Sequence, residues 1–130
     1  MQVEKLEIPI TSDLGEIKLC VYPASNNSML FEEEDAVDYG ESRWQLQEGC
    51  IYEYEFVANN GRTYQFTKEN EIVRFSHSPR HPNTGTFKTG IYVGSLSLQI
   101  KDTVLNCEVA KVDLEIKSVK TEYRTDYRKM

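Results

Sequence analysis

Residues 110–117 alternate without a break: Ala110, Val112, Leu114 and Ile116 are apolar, and Lys111, Asp113, Glu115 and Lys117 between them are charged. Such a period of two belongs to a strand with one face buried and the other in water, because successive side chains of a strand point to opposite faces. The pattern recurs at Leu6, Ile8 and Ile10, at Ile17, Leu19 and Val21, at Tyr52, Tyr54 and Phe56, at Tyr64 and Phe66, and at Leu96, Leu98 and Ile100. Pro9 inside the first run marks an edge strand or a strand end, since proline cannot donate to a ladder. Asn59, Asn60 and Gly61 lie between the two aromatic runs and predict a hairpin, because Asn-Gly tolerates the positive φ of a type I′ turn. A further strand begins at Ile72, residues 83–90 read as loop with room for one short strand, and 90–100 read as one glycine-bearing strand. Seven or so short strands with no helix before Thr121 predict an all-β fold. The expected form is an antiparallel β-sandwich of immunoglobulin-like shape, or a partly open barrel.

From Thr121 the period lengthens. Tyr123 and Tyr127 are four apart, as are Arg124 and Arg128, so a helix stacks each pair in its own row, with Thr121 as N-cap. The expected division is a β-domain over 1–120 and the start of a helix over 121–130. Fewer than three helical turns with no C-cap glycine are marginal alone, so this helix is expected to lead into something longer.

A strand ending in Ile116-Lys117-Ser118, followed by Lys120, Tyr123, Arg124, Asp126, Tyr127, Arg128 and Met130 at their spacing here, resembles the end of the N-terminal domain of McrC-like proteins. In those proteins that domain precedes a PD-(D/E)xK nuclease of a modification-dependent restriction system. The specific likeness covers about the last sixth of the chain. It implies a noncatalytic domain whose partners are a nucleotide-hydrolysing AAA+ motor and the protein's own C-terminal nuclease domain, with DNA as a further partner.

Charge limits how DNA enters. The chain has 15 basic and 21 acidic residues, a net charge of −6, so its average field repels nucleic acid and any DNA contact must be local. Basic residues gather at Arg74, Arg80 and Lys88 and again at Lys117, Lys120, Arg124, Arg128 and Lys129. If DNA is bound directly, Lys120, Arg124 and Arg128 are the candidate contacts. If the partner is the motor, the long excursions 24–40 and 76–90 are the candidate surface, and Phe31, Arg80 and Phe87 are the side chains to test, since aromatic and arginine residues dominate contact energetics. A free-standing ligand-binding sandwich is the third reading.

No apolar run reaches membrane-spanning length and the N-terminus lacks a signal peptide's apolar region, which points to a cytoplasmic protein with no membrane partner. Cys20, Cys50 and Cys107 are odd in number and far apart, so three reduced thiols are expected, not a disulfide framework or a zinc site. Trp44 lies too far beyond Cys20, and outside any clear strand, for the antibody-type pattern.

No catalytic residue, metal ligand or cofactor is assigned. His77 and His81 have helical ligand spacing, but Pro79 and Pro82 forbid the helix. Glu32, Glu33, Glu34 and Asp35 lack the spacing of a calcium loop. Glu115 and Lys117 with Asp102 imitate the metal-holding set of a PD-(D/E)xK nuclease, yet strict alternation already accounts for Glu115 and Lys117 as an outer face. No Ser/His/Asp order, phosphate loop or G-x-S-x-G elbow is present.

Overall fold

The computed structural model describes residues 2–24, 28–33, 42–67, 72–77, 80–81 and 83–118. The helix expected over 121–130 lies outside them. In chain order the strands are β1 (Gln2–Val3), β2 (Leu6–Ser12), β3 (Gly15–Pro23), β4 (Leu30–Glu32), β5 (Trp44–Gln47), β6 (Ile51–Ala58), β7 (Tyr64–Phe66), β8 (Val73–His77), β9 (Thr84–Thr89), β10 (Gly94–Asp102) and β11 (Cys107–Lys117). They form a six-stranded sheet, β1-β4-β5-β11-β10-β7, and a five-stranded sheet, β2-β3-β6-β9-β8, neither closed into a barrel. The fold is a β-sandwich. Every ladder is antiparallel except β5 with β11, which run parallel at Gln45↔Glu115 and Leu46↔Ile116. Trp44 therefore opens a strand that the sequence pattern did not disclose.

The alternation becomes burial directly. Along β2 the odd-numbered side chains are exposed, while Leu6, Ile8 and Ile10 are at most 7% exposed. Pro9 sits on β2, an edge strand, where its missing N–H costs little. The core fills the gap between the sheets, with Phe66 of β7 stacked on Phe75 of β8 at 4.6 Å to tie the two sheets together along one side. Tyr54 touches Phe56, Phe66 and Phe87, and its hydroxyl lies 2.6 Å from His77 Nδ1. Its ring crosses above Gly85, where a Cβ would stand 2.6 Å from the Tyr54 hydroxyl and 2.5 Å from the Ser76 carbonyl. Glycine there is what lets a buried tyrosine of β6 cross β9 and reach His77 on β8. Burial pushes the Tyr54 phenol up to about 12.

Three expectations need correction. The Asn59-Asn60-Gly61 stretch makes no hairpin, because β6 pairs with β3 and β9 in one sheet whereas β7 pairs with β10 in the other. Gly61 alone has positive φ there, at 71°, so the type I′ geometry is absent. The Asn60 side chain shapes the crossing instead, donating to Leu14 O and Tyr64 Oη and accepting from Arg62 N. Residues 84–89 are a full central strand, not loop. The glycine-bearing strand starts at Gly94, which leaves 90–93 as a link between the sheets.

Candidate functional site

The residues proposed as one contact surface do not share one. Phe87 is 2% exposed and stacks on Tyr52 at 5.6 Å, so it is a core residue and offers a partner nothing. It faces inward because β9 continues the five-stranded sheet, where period two buries Phe87 and Thr89 together. Phe31 is half-buried in β4, opposite Gln2 and Gln45. Arg80 is exposed in the connection between β8 and β9. β4 lies on the side where β2 packs against β4 and β11, whereas β8 closes the opposite side against β7. Phe31 and Arg80 thus stand on opposite flanks. Arg74, Arg80 and Lys88 also separate: Arg74 and Lys88 face each other across the β8–β9 ladder, and Arg80 lies past its far end, beyond the His77–Gly85 pair. Lys120, Arg124 and Arg128 lie outside the described residues.

The nuclease-like set is scattered. Asp102 pairs with Cys107 at one end of the β10–β11 hairpin and Glu115 with Ser95 at the other. Seven strand steps separate Ser95 from Asp102, roughly 24 Å at the usual rise per residue. Asp102 is fully buried and structural, accepting from Val104 N at 2.9 Å and Leu105 N at 2.7 Å and pairing with Arg62 at 3.2 Å. The Leu105 N–H foremost, with Arg62 and the Val104 N–H, holds its carboxyl below the usual range. Glu115 has outer-face parity but is only 9% exposed, so the expectation of a wet outer position fails there. Its Oε1 lies 3.0 Å from Lys117 Nζ, while Oε2 is buried with no partner. Gln45, its ladder neighbour, is buried too, since parity assigns a face and cannot say what covers it.

His77 ends β8 against Tyr54 and Phe75. His81 is exposed, and its carbonyl accepts from Thr84 N. Among the described residues no group of three His, Cys, Asp or Glu is arranged to hold a metal ion. None of the three cysteines is in a disulfide: Cys20 is buried, Cys50 intermediate and Cys107 exposed. The outer face of the five-stranded sheet carries two open grooves of about 650 and 490 Å³. Glu7 and Glu16 line the larger and Glu53 and Glu55 the smaller, with Lys18 the one cation between them. Both grooves are acidic, while Arg74 and Lys88 lie on the β8–β9 side of the same face.

Exposed aliphatic pairs stand at both ends of β10: Val104 and Leu105 on the β10–β11 turn, 80% and 51% exposed, and Ile91 and Val93 on the link before it. Glu48 N donates to Lys117 O and Gly49 N to Gly90 O, so the β5–β6 turn, the 90–93 link and the end of β11 meet at one end of the sandwich. Thr89 fastens the joint from below: its buried hydroxyl donates to Gln47 O at 2.6 Å and accepts from Cys50 N at 3.0 Å. In the link, Tyr92 folds inward over Gly94, whose φ of +143° excludes a side chain, and donates to Ser95 O at 2.9 Å. Anchoring Tyr92 turns its two neighbours out. Ile91 is 95% exposed and Val93 55%, with Ile51 nearby on β6 at 45%. The sequence holds the signal, three apolar residues bracketed by Gly90 and Gly94, but a strand period had absorbed it.

The fold defines a β-sandwich with exposed aliphatics on the 90–93 link and on the β10–β11 turn. Comparison with family models, with curated proteins and with solved structures finds no match to this chain. Among the described residues no helix is long and apolar enough to cross a membrane.

Proposed function

We propose that this chain is a noncatalytic docking domain of a McrC-like restriction nuclease, cytoplasmic, that binds a nucleotide-hydrolysing AAA+ motor through the end bearing Ile91 and Val93. The exposure of those two side chains carries the reading. Isolated exposed aliphatics are ordinary, but Ile91 and Val93 share one anchored link, and Ile91 is more exposed than either Val104 or Leu105 on the β10–β11 turn, which favours it as the buried centre of a protein contact. The same end holds the C-terminal end of β11, where Lys117 O accepts from Glu48 N. The acidic grooves of the five-stranded sheet support a protein partner over a phosphate backbone, which they repel.

The test is co-purification with the cognate motor, followed by titration calorimetry. Ile91→Asp and Val93→Asp are each expected to weaken binding by more than about tenfold, because a carboxylate in a desolvated contact goes unpaired. Arg80→Ala, on the β8–β9 connection, is expected to matter less. Motor binding unchanged in both aspartate variants overturns the reading.

A further inference from the structure

The β8–β9 ladder places two cations directly opposite each other, Arg74 against Lys88, and two hydroxyls directly opposite in the next outward row, Ser76 against Thr86. Val73, Phe75 and Phe87 between them point into the core, so all four polar side chains project from one side of the sheet. Like charges opposed across a ladder repel, and sheets ordinarily place a carboxylate there. Among the described residues Arg74 and Lys88 have no ion pair, and Ser76 and Thr86 have no side-chain hydrogen bond. Donors therefore gather on the outer two strands, and the nearest carboxylate, Glu53, stands across the β6–β9 ladder from Thr86 without bonding to any of them. The block measures about 5 Å across the ladder and about 7 Å along it, a size at which flexible side chains can close on one tetrahedral anion.

We infer that Arg74, Ser76, Thr86 and Lys88 form a receptor for a single phosphate-class oxyanion, independent of the docking reading. Guanidinium, ammonium and hydroxyl groups can all donate to such an anion at once, and the charged bonds are the stronger ones. The neighbours set the ligand's size. Glu53 stands beside Thr86 on β6, with Glu55 two residues further on, and Ile51 flanks Lys88. A polyanion laid across the sheet meets both carboxylates, whereas one phosphoryl group seated toward Arg74 and Lys88 has only Glu53 at its edge. The ligand is free phosphate or a small phosphate monoester, not a nucleic-acid strand.

The experiment is a backbone amide titration of the full chain by nuclear magnetic resonance at low salt, with inorganic phosphate, adenosine monophosphate and an eight-residue oligothymidylate in separate arms. Saturable shifts confined to residues 74–76 and 86–88 with phosphate or the monophosphate support the site. Tighter binding of the monophosphate identifies an ester as the ligand, and equal binding identifies the phosphoryl group alone. Arg74→Gln and Lys88→Gln are each expected to weaken binding at least about tenfold. Arg74→Lys, which keeps the charge and loses the planar fork, is expected to weaken it less. Thr86→Ala is expected to weaken it without altering net charge. Linear shifts spread over Lys18 and Lys111 as well, untouched by these variants, mean an adventitious ion only and overturn the inference. Binding of the oligothymidylate more tightly than the monophosphate overturns the compact-ligand assignment.

Discussion

Asp102 shows how a residue that resembles chemistry is committed to structure. Its carboxylate closes the β10–β11 turn through Val104 N and Leu105 N and holds Arg62 from the neighbouring crossing, so both oxygens are in use. The pH dependence follows from the direction of its shift. An aspartate free in the unfolded chain titrates near 3.8 and the folded carboxyl lies lower, so the contribution is present above that value and fades as pH falls through the folded one. Urea midpoints are therefore expected to drop below about pH 4, and Asp102→Asn, which keeps an acceptor for the two amides, is expected to flatten that drop while losing stability at pH 7. An unchanged pH profile in the variant contradicts the assignment. The opposite sign holds for Tyr54. Its phenol is raised to about 12 from 10.0, so its contribution is intact below pH 10 and is lost as pH climbs between those values.

At the scale of the element, most strands were legible because burial of one face writes itself as period two, as along β2, β6, β10 and β11. What was illegible is which strands pair. Asn59-Asn60-Gly61 carries a strong local hairpin signal, yet the chain leaves one sheet for the other there, since Tyr64 and Phe66 find their ladder on β10. Local turn chemistry fixes a reversal and does not choose the partner strand. β5 escaped notice for a related reason: Gln45 and Gln47 are buried polar residues, so no alternation marks Trp44–Gln47. The candidate site was the least legible. Aromatic and arginine content pointed to Phe87 and Arg80, but exposure depends on tertiary placement: it buries Phe87, leaves Arg80 outside, and brings out Ile91, Val93, Val104 and Leu105. The crossing can be tested at Asn60, whose side chain makes three hydrogen bonds. Asn60→Ala is expected to cost about 1–2 kcal/mol in urea unfolding, since these bonds are partly solvated and each contributes modestly. A loss no larger than that of Asn59→Ala contradicts the role given to Asn60.

For the molecule as a whole, the decisive contrast is between what holds the sandwich together and what it presents. Phe87 lies among Tyr52, Tyr54, Phe66 and Phe75, rings contributed by both sheets, so truncating it opens a cavity where the layers meet. Phe87→Ala is expected to cost about 3–5 kcal/mol, a large share of the roughly 5–15 kcal/mol that typically separates a folded domain from its unfolded chain. Ile91 is 95% exposed and contributes almost nothing to that balance. Ile91→Asp is expected to melt within a degree or two of the parent, because exposed substitutions away from special features cost under about 0.5 kcal/mol. The two variants should therefore separate stability from docking: the first loses motor binding in proportion to the unfolded fraction and regains it on cooling or with a stabilising osmolyte, while the second stays folded and fails to bind under either condition. A Phe87→Ala protein that melts like the parent yet no longer binds the motor would return Phe87 to the contact surface and remove it from the core. An Ile91→Asp protein that unfolds would show that the 90–93 link is part of the packing between the sheets and not a surface kept open for a partner.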